Sequence, residues 1–122
     1  AEWLLAREDV AWVNYPGLKD NKYHALAEKY MPAGTGGMMS FGIKGDAKRC
    51  AAFMEALSLI TQETHVADVR SCVLHPASTT HRQLSKADLE KAGVPENLVR
   101  LSVGIENPED ILTDLSRALD KI

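Results

Sequence analysis

Residues 98–119 constrain the fold more than any other part of the chain. Residues 98–103 are a mainly apolar stretch of strand length, and a strongly signalled helix follows them. Asn107 can cap that helix, Pro108 suits its first position, and the acidic residues Glu109 and Asp110 favour the positive end of the helix dipole. Its apolar face consists of Ile111, Leu112, Leu115, Ala118 and Leu119. The sequence therefore predicts a strand that leads directly into an amphipathic helix.

Short strands and helices alternate along the rest of the chain. Strands are predicted at residues 10–15, 38–43, 70–75 and 98–103. Helices are predicted at residues 2–7, 21–31, 47–60 and 86–92, and after Asn107. In the second helix, Tyr23, Leu26, Ala27 and Tyr30 form the predicted apolar face. This pattern predicts two layers of helices and strands and leaves strand direction open, a parallel sheet included.

Size and composition are those of one ordinary globular domain, and they exclude several functions. The chain has 122 residues, 45% of them hydrophobic and 25% charged. Its net charge of −3 without a basic run argues against nucleic-acid binding, and no apolar run is long enough for a membrane span. Cys50 and Cys72 match no metal or redox spacing, and the four histidines show no metal-binding pairing. Reduced core thiols and a cytoplasmic location are therefore expected.

The first residues, AEWLLARED, already lie within a helical pattern. Neither an initiator methionine nor a residue able to cap that helix precedes them. We therefore expect this chain to be a piece of a longer protein.

One charged side chain, Arg100, interrupts the apolar strand at residues 98–103. Arginine carries a rigid, permanently charged fork that matches a carboxylate through two parallel hydrogen bonds. Within an apolar strand it is either the buried partner of an Asp or Glu or a receptor for the carboxylate of a ligand. The residue type alone leaves both interpretations open.

Residues 75–111 contain HPASTTH, then a predicted polar helix, and then VRLSVGIENPEDI. This series resembles the C-terminal domain of the Cys/Met-metabolism family of pyridoxal-phosphate (PLP) enzymes. The stretches WVNYPGL, YHALAEKYMP and MMSFGIKG extend the resemblance over essentially the whole chain. Within the family, the chain is most similar to the O-acetylhomoserine sulfhydrylases. In HVADVRSC, residues 65–72, Asp68, the basic Arg70 and Ser71 fit the sulfhydrylase version of the family's substrate-binding segment.

The resemblance implies a specific fold and organisation. It implies an α+β fold, namely the two-layer C-terminal domain of a fold-type-I PLP enzyme, with a small, mostly antiparallel, four-stranded sheet covered by helices on one face. Residues 1–122 would form this single domain, and the larger domain that carries the PLP-binding lysine would be absent. The full-length enzyme is expected to be a homo-oligomer, as a tetramer.

The resemblance also implies a function and site residues. The full-length enzyme would use PLP to convert O-acetylhomoserine and sulfide into homocysteine and acetate. Arg100 would bind the α-carboxylate of the amino-acid substrate, and His65, which stands where the family usually has Ser or Asn, would assist it. No catalytic, cofactor-binding or metal-binding residue is expected in this chain, so alone it should bind no PLP and be inactive. His65 and Ala67, which replaces a family Gly, depart from the family pattern.

Two other classes of function stay open. The full-length enzyme could be a cystathionine γ-synthase, a cystathionine γ-lyase or a methionine γ-lyase, which share the family's domain. Alternatively, the chain could be a non-catalytic interaction domain of the same fold.

Overall fold

The computed structural model describes all 122 residues, which form five helices and five strands. The strands are β1 (Val10–Asn14), β2 (Met38–Ile43), β3 (Thr61–Gln62), β4 (Cys72–Leu74) and β5 (Leu98–Ser102). The helices are α1 (Glu2–Leu5), α2 (His24–Tyr30), α3 (Ala47–Ala56), α4 (Lys86–Lys91) and α5 (Pro108–Leu119). A single 3₁₀ turn (Pro76–Ser78) follows β4.

All five strands belong to one sheet, in the order β1-β2-β5-β4-β3. The pairs β1–β2, β2–β5 and β5–β4 are antiparallel, and only the short β3 runs parallel to its neighbour β4. The mostly antiparallel α+β sheet is therefore confirmed, but it has five strands rather than the predicted four. The fifth, β3, is only two exposed residues long, so it carries no apolar alternation by which a strand is recognised.

The hydrophobic core lies between one face of the sheet and helices α1, α3 and α5. Successive side chains of a strand point to opposite faces, so Phe41, Val73, Val99 and Leu101 share the face that these helices cover. The helices contribute Leu4, Cys50, Phe53, Met54, Ile111, Leu115, Ala118 and Leu119. The longest helix, α5, has 12 residues, and none of the helices combines the length and apolar character that a membrane crossing requires.

Both cysteines are buried and unpaired, as the sequence predicts. Burial, the largest influence, and the neighbouring Asp46 raise the pKa of Cys50 to about 11. A thiol of this kind stays protonated at neutral pH and is a poor nucleophile.

Helix α3 was predicted to continue to Ile60, but it ends at Ala56. The reason lies in α5, whose buried Asp114 accepts hydrogen bonds from the backbone N–H groups of Ser58, Leu59 and Ile60 at 2.9–3.2 Å. In a continued helix these donors would bond to carbonyl groups of the preceding turn. A long-range carboxylate therefore takes the donors and turns the chain towards β3.

Helix α2 also differs from its prediction, since it begins at His24 rather than Asn21. The side chain of Asn21 instead accepts a hydrogen bond from the Tyr23 N–H at 3.0 Å, which forms a turn. Of the predicted apolar face only Ala27 is buried, whereas Tyr23, Leu26 and Tyr30 are exposed. The apolar periodicity of α2 therefore does not correspond to core packing in this chain.

Candidate functional site

A row of polar side chains crosses the centre of the sheet on the face opposite the helices. Asn14 of β1 pairs with Ser40 of β2, and Ser40 pairs with Arg100 of β5. Strand alternation places Val99 and Leu101 in the core, so Arg100 between them points to the other face. The antiparallel register, which is invisible in the sequence, brings these three residues side by side.

Arg100 is half-buried and makes no ion pair with any Asp or Glu of the chain. Its Nη2 atom donates a hydrogen bond to the Thr64 carbonyl oxygen at 2.8 Å and approaches the His65 carbonyl oxygen at 3.4 Å. Nη1 and Nε make no hydrogen bond within the chain. The two carbonyls therefore orient the guanidinium while leaving donors available to an external acceptor.

The guanidinium borders an open groove with a volume of about 330 Å³. The residues that line the groove are Asn14, Pro16, Met38, Met39, Ser40, Pro76, Leu98 and Arg100. Arg100 is the only charged residue among them. A separate, mainly apolar cavity with a volume of about 230 Å³ lies between α1, α5 and the end of β5. The one charged side chain that lines it is Glu106. Of these two, the groove beside Arg100 is the one lined by a cationic side chain.

The carbonyls that orient Arg100 belong to residues 63–71, here called the 63–71 loop, between β3 and β4. The loop is tied to the sheet by backbone and side-chain hydrogen bonds. The Ala67 N–H donates to the Ser102 hydroxyl at 3.2 Å, and the Ile105 N–H donates to the Val69 carbonyl at 2.9 Å. These bonds fix the loop against the C-terminal end of β5, next to Arg100.

His65 and Arg100 are brought together, but through the backbone of His65 rather than its imidazole. The imidazole is about half exposed, and its Nδ1 atom lies 3.1 Å from Asp68 Oδ2. The Arg70 N–H donates to Asp68 Oδ1 at 3.0 Å. Chiefly because of this backbone bond, with help from the Arg70 and His65 side chains, the pKa of Asp68 falls to about 2. Asp68 is therefore a permanent carboxylate that faces His65.

Ala67 is the only non-glycine residue with a positive φ, at 58°. This left-handed conformation costs an L-residue roughly 1–2 kcal/mol because its Cβ crowds the backbone, whereas glycine adopts it freely. The departure from glycine that the sequence shows at this position therefore leaves local strain in the 63–71 loop.

At the end of the 63–71 loop, Ser71 is buried and bound by Glu106 through two hydrogen bonds. The Ser71 N–H donates to Glu106 Oε1 at 2.6 Å, and the Ser71 hydroxyl donates to Glu106 Oε2 at 2.8 Å. The Ser71 hydroxyl also accepts the Gly104 N–H at 2.9 Å. Burial alone would raise the pKa of Glu106, but the hydrogen bonds from Ser71 outweigh it and lower that pKa. Glu106 is therefore ionised at neutral pH, and each of its carboxylate oxygens already accepts a hydrogen bond from Ser71.

His75 and His81 flank the 3₁₀ turn Pro76–Ser78, and both have hydrogen-bond partners within the chain. Nε2 of the buried His75 lies 2.7 Å from the Glu96 carbonyl oxygen, to which it must donate, and Nδ1 lies 2.8 Å from the Ser78 hydroxyl. Nδ1 of His81 lies 2.9 Å from the Thr80 hydroxyl. His75 therefore stabilises the turn after β4 and presents no free ring nitrogen.

The sequence analysis missed several residues around the site, namely Asn14, Ser40, Thr64, Ser102 and Glu106, and it did not predict that Ser71 contacts Glu106. Ser71 and Glu106 are 35 positions apart, and no local periodicity links them. Thr64 contributes only a carbonyl group, which every residue has. The one usable signal was Gly104, because a Cβ atom there would lie 2.5 Å from the Ser71 nitrogen.

Comparison with known proteins identifies the family. The sequence model of the family described as "Cys/Met metabolism PLP-dependent enzyme" matches residues 1–120. The chain belongs to this family. Its relatives in the Cys/Met-metabolism family include O-acetyl-L-homoserine sulfhydrylase 1 of Thermus thermophilus, 45% identical over 119 residues, which are 98% of this chain and 28% of the relative. The O-acetyl-L-homoserine sulfhydrylase of Corynebacterium glutamicum is 47% identical over 115 residues, 94% of this chain and 26% of the relative.

A solved structure of similar sequence has the same fold as this chain. The crystal structure of a Campylobacter jejuni protein, assigned as an O-acetylhomoserine (thiol)-lyase, matches with a TM-score of 0.90 and 38% identity. The match covers 98% of this chain and 28% of the other, and that structure contains N'-pyridoxyl-lysine-5'-monophosphate. This chain therefore spans about 28% of the length of such family members.

Proposed function

We propose that residues 1–122 are the C-terminal, substrate-binding domain of a PLP-dependent O-acetylhomoserine sulfhydrylase. The full-length enzyme would join O-acetylhomoserine and sulfide into homocysteine and acetate. In this reaction the bond between the γ-carbon and the acetate oxygen breaks, and a carbon–sulfur bond forms. The proposal is supported by the identity of 44–47% to proteins named as O-acetyl-L-homoserine sulfhydrylases.

Arg100 is the proposed receptor for the α-carboxylate of the amino-acid substrate, and its geometry carries the proposal. It lacks an acidic partner, it is the only charged residue along its groove, and two carbonyls hold one of its nitrogens. An arginine that served mainly as an internal ion-pair partner would contact an Asp or Glu. The free N–H groups of the fork can instead bind a carboxylate in the two-pronged manner.

His65 is proposed to lie on the substrate-facing side, beside Arg100. Its imidazole is exposed and is oriented by Asp68, while its carbonyl group contacts the guanidinium. An imidazole in this place can donate a hydrogen bond to a bound anion. Its effect would be on substrate affinity rather than on bond breaking.

PLP, when bound to the full-length enzyme, supplies the carbanion stabilisation of the reaction. The side chains of this chain do not suit a PLP site, because all eight lysines are exposed and none borders the Arg100 groove. We therefore propose that the PLP-binding lysine lies in a domain outside residues 1–122. This chain would contribute substrate recognition only.

We also propose a cytoplasmic location and a homotetrameric full-length enzyme. The two unpaired, buried cysteines agree with a reducing compartment. The subunit count comes from the family resemblance, and light scattering on the full-length protein would measure it.

An assay of the full-length protein with alternative co-substrates tests the proposed reaction. We expect homocysteine and acetate from O-acetylhomoserine and sulfide, with little product when cysteine replaces sulfide. Cystathionine as the main product would identify a cystathionine γ-synthase. Release of 2-oxobutanoate from cystathionine or methionine would identify a γ-lyase. A full-length protein without a PLP-bound lysine would instead support the non-catalytic interaction domain.

A further inference from the structure

Glu106 lies outside the groove, yet its hydrogen bonds lead to the groove's cation. Both of its carboxylate oxygens hold Ser71, which forms the C-terminal end of the 63–71 loop. The same loop presents the Thr64 and His65 carbonyls that contact the Arg100 guanidinium. Glu106 and Arg100 are thus linked through one short loop.

The connection between β5 and α5 holds the loop at several adjacent points. In addition to the two Glu106 bonds, the Gly104 N–H donates to the Ser71 hydroxyl at 2.9 Å, and the Ile105 N–H donates to the Val69 carbonyl at 2.9 Å. Gly104 makes this close approach possible, because its Cβ would lie 2.5 Å from both Ser71 N and Glu106 Oε2. A shift of the C-terminal end of the loop would therefore break its bonds to Glu106, Gly104 and Ile105.

We propose that Glu106 is a positioning residue for carboxylate recognition, acting through Ser71 to hold the carbonyls that orient Arg100. This inference rests on the proposed function of Arg100 as the carboxylate receptor. A misaligned fork still carries its charge but forms one good hydrogen bond to a carboxylate instead of two. Glu106 itself touches no substrate, so its removal should weaken substrate binding without changing the chemistry of the bound substrate.

The test measures steady-state kinetics of the full-length enzyme with Glu106→Ala, Glu106→Gln and Ser71→Ala. We expect Glu106→Ala to raise KM for O-acetylhomoserine about tenfold, the effect of one charged hydrogen bond, and to leave KM for sulfide unchanged. Glu106→Gln keeps one acceptor oxygen, so it should rescue part of this loss. Ser71→Ala removes only the hydroxyl and leaves the backbone N–H bond to Glu106, so it should raise KM for O-acetylhomoserine about threefold. This variant provides the test if Glu106→Ala does not fold.

The matched control is Asn107→Ala, which removes the cap of α5 next to Glu106 without touching the loop. It should lower the melting temperature and leave both KM values unchanged. If Glu106→Ala gives this same pattern, Glu106 only stabilises the fold and the inference is overturned.

A double-mutant cycle with Arg100→Lys separates this inference from the proposed function. If Glu106 acts through Arg100, Glu106→Ala should raise KM by less than about twofold in the Arg100→Lys background. A full tenfold increase in that background would show an independent action and overturn the inference alone. An unchanged KM in Arg100→Lys by itself would overturn the carboxylate role of Arg100, and the inference with it.

Discussion

The Arg100 guanidinium donates a hydrogen bond of 2.8 Å to the Thr64 carbonyl oxygen, across 36 positions of sequence. A backbone carbonyl orients a guanidinium without neutralising it, whereas an Asp or Glu would do both. The charge of Arg100 is therefore available to a ligand. This arrangement leads to a first prediction about substrate affinity.

Arg100→Lys should raise KM for O-acetylhomoserine in the full-length enzyme about tenfold or more. Lysine keeps the charge but loses the two-pronged fit, which is worth about 1.5–3 kcal/mol. Steady-state kinetics measure the effect. Arg117→Lys is the control, because Arg117 pairs with Asp114 on the helix-covered side of the sheet. Unchanged kinetics together with a lowered melting temperature would assign Arg100 a structural role.

Ala67→Gly should stabilise the chain by about 0.5–1 kcal/mol. The gain comes from relief of the left-handed strain at φ 58°, reduced by the greater freedom of glycine in the unfolded chain. Urea denaturation measures the free energy of unfolding. The matched control is Ala52→Gly in helix α3, which should instead cost about 1 kcal/mol. A loss of stability at both positions would contradict the strain.

His65→Ala should raise KM for O-acetylhomoserine in the full-length enzyme about twofold to tenfold. The change removes an imidazole N–H that would donate a hydrogen bond to the bound carboxylate, a contribution of about 0.5–1.5 kcal/mol. His81→Ala is the control, since the one side-chain hydrogen bond of His81 is to the neighbouring Thr80. An unchanged KM in His65→Ala would indicate that the imidazole is a solvent-exposed loop group without a role in binding.

Asp114→Asn should lower the free energy of unfolding by about 2–4 kcal/mol. The carboxylate accepts three backbone N–H groups at 2.9–3.2 Å and also pairs with Arg117. An amide has only one acceptor oxygen, and its NH2 group would face the same backbone N–H donors. Buried polar groups would therefore lose their hydrogen-bond partners. Asp110→Asn, exposed in the first turn of the same helix, should cost about 0.3–1 kcal/mol. Equal losses in the two variants would refute this account of Asp114.

The isolated chain, residues 1–122, should bind no PLP and should not convert O-acetylhomoserine. All its lysines are exposed, so any adduct should be spread thinly over several of them. Borohydride reduction followed by peptide mass spectrometry measures the distribution. A stoichiometric adduct on one lysine would show that the chain contains a cofactor site after all.

The elements with complete local signals could be predicted from the sequence. Helix α5 begins at Pro108 behind its Asn107 cap, and β2 occupies residues 38–43, both as expected. Each has its apolar pattern and its boundary residues within one short stretch. The end of helix α3 and the strand β3 could not be predicted. Helix α3 ends where Asp114 accepts the following backbone N–H groups, and β3 is a strand because it pairs with the backbone of β4. Both causes act across long sequence separations.

The site was predictable only in part, for the same reason. Arg100 stood out as a charge in an apolar strand, and the resemblance supplied its expected role. Its orientation depends on carbonyl groups, and carbonyl groups have no sequence signature. The Ser71–Glu106 contact depends on how the end of β5 meets the beginning of β4, which is a property of the sheet register.

The strand order has a consequence for how this domain assembles during synthesis. Strand β5 occupies the centre of the sheet, between β2 and β4, yet it is the last strand made. Until residues 98–102 leave the ribosome, no strand connects β2 to β4, and one edge of the antiparallel β1–β2 pair stays open. Open strand edges pair readily with other chains. Nascent chains that stall before Leu98 should therefore be the ones that aggregate.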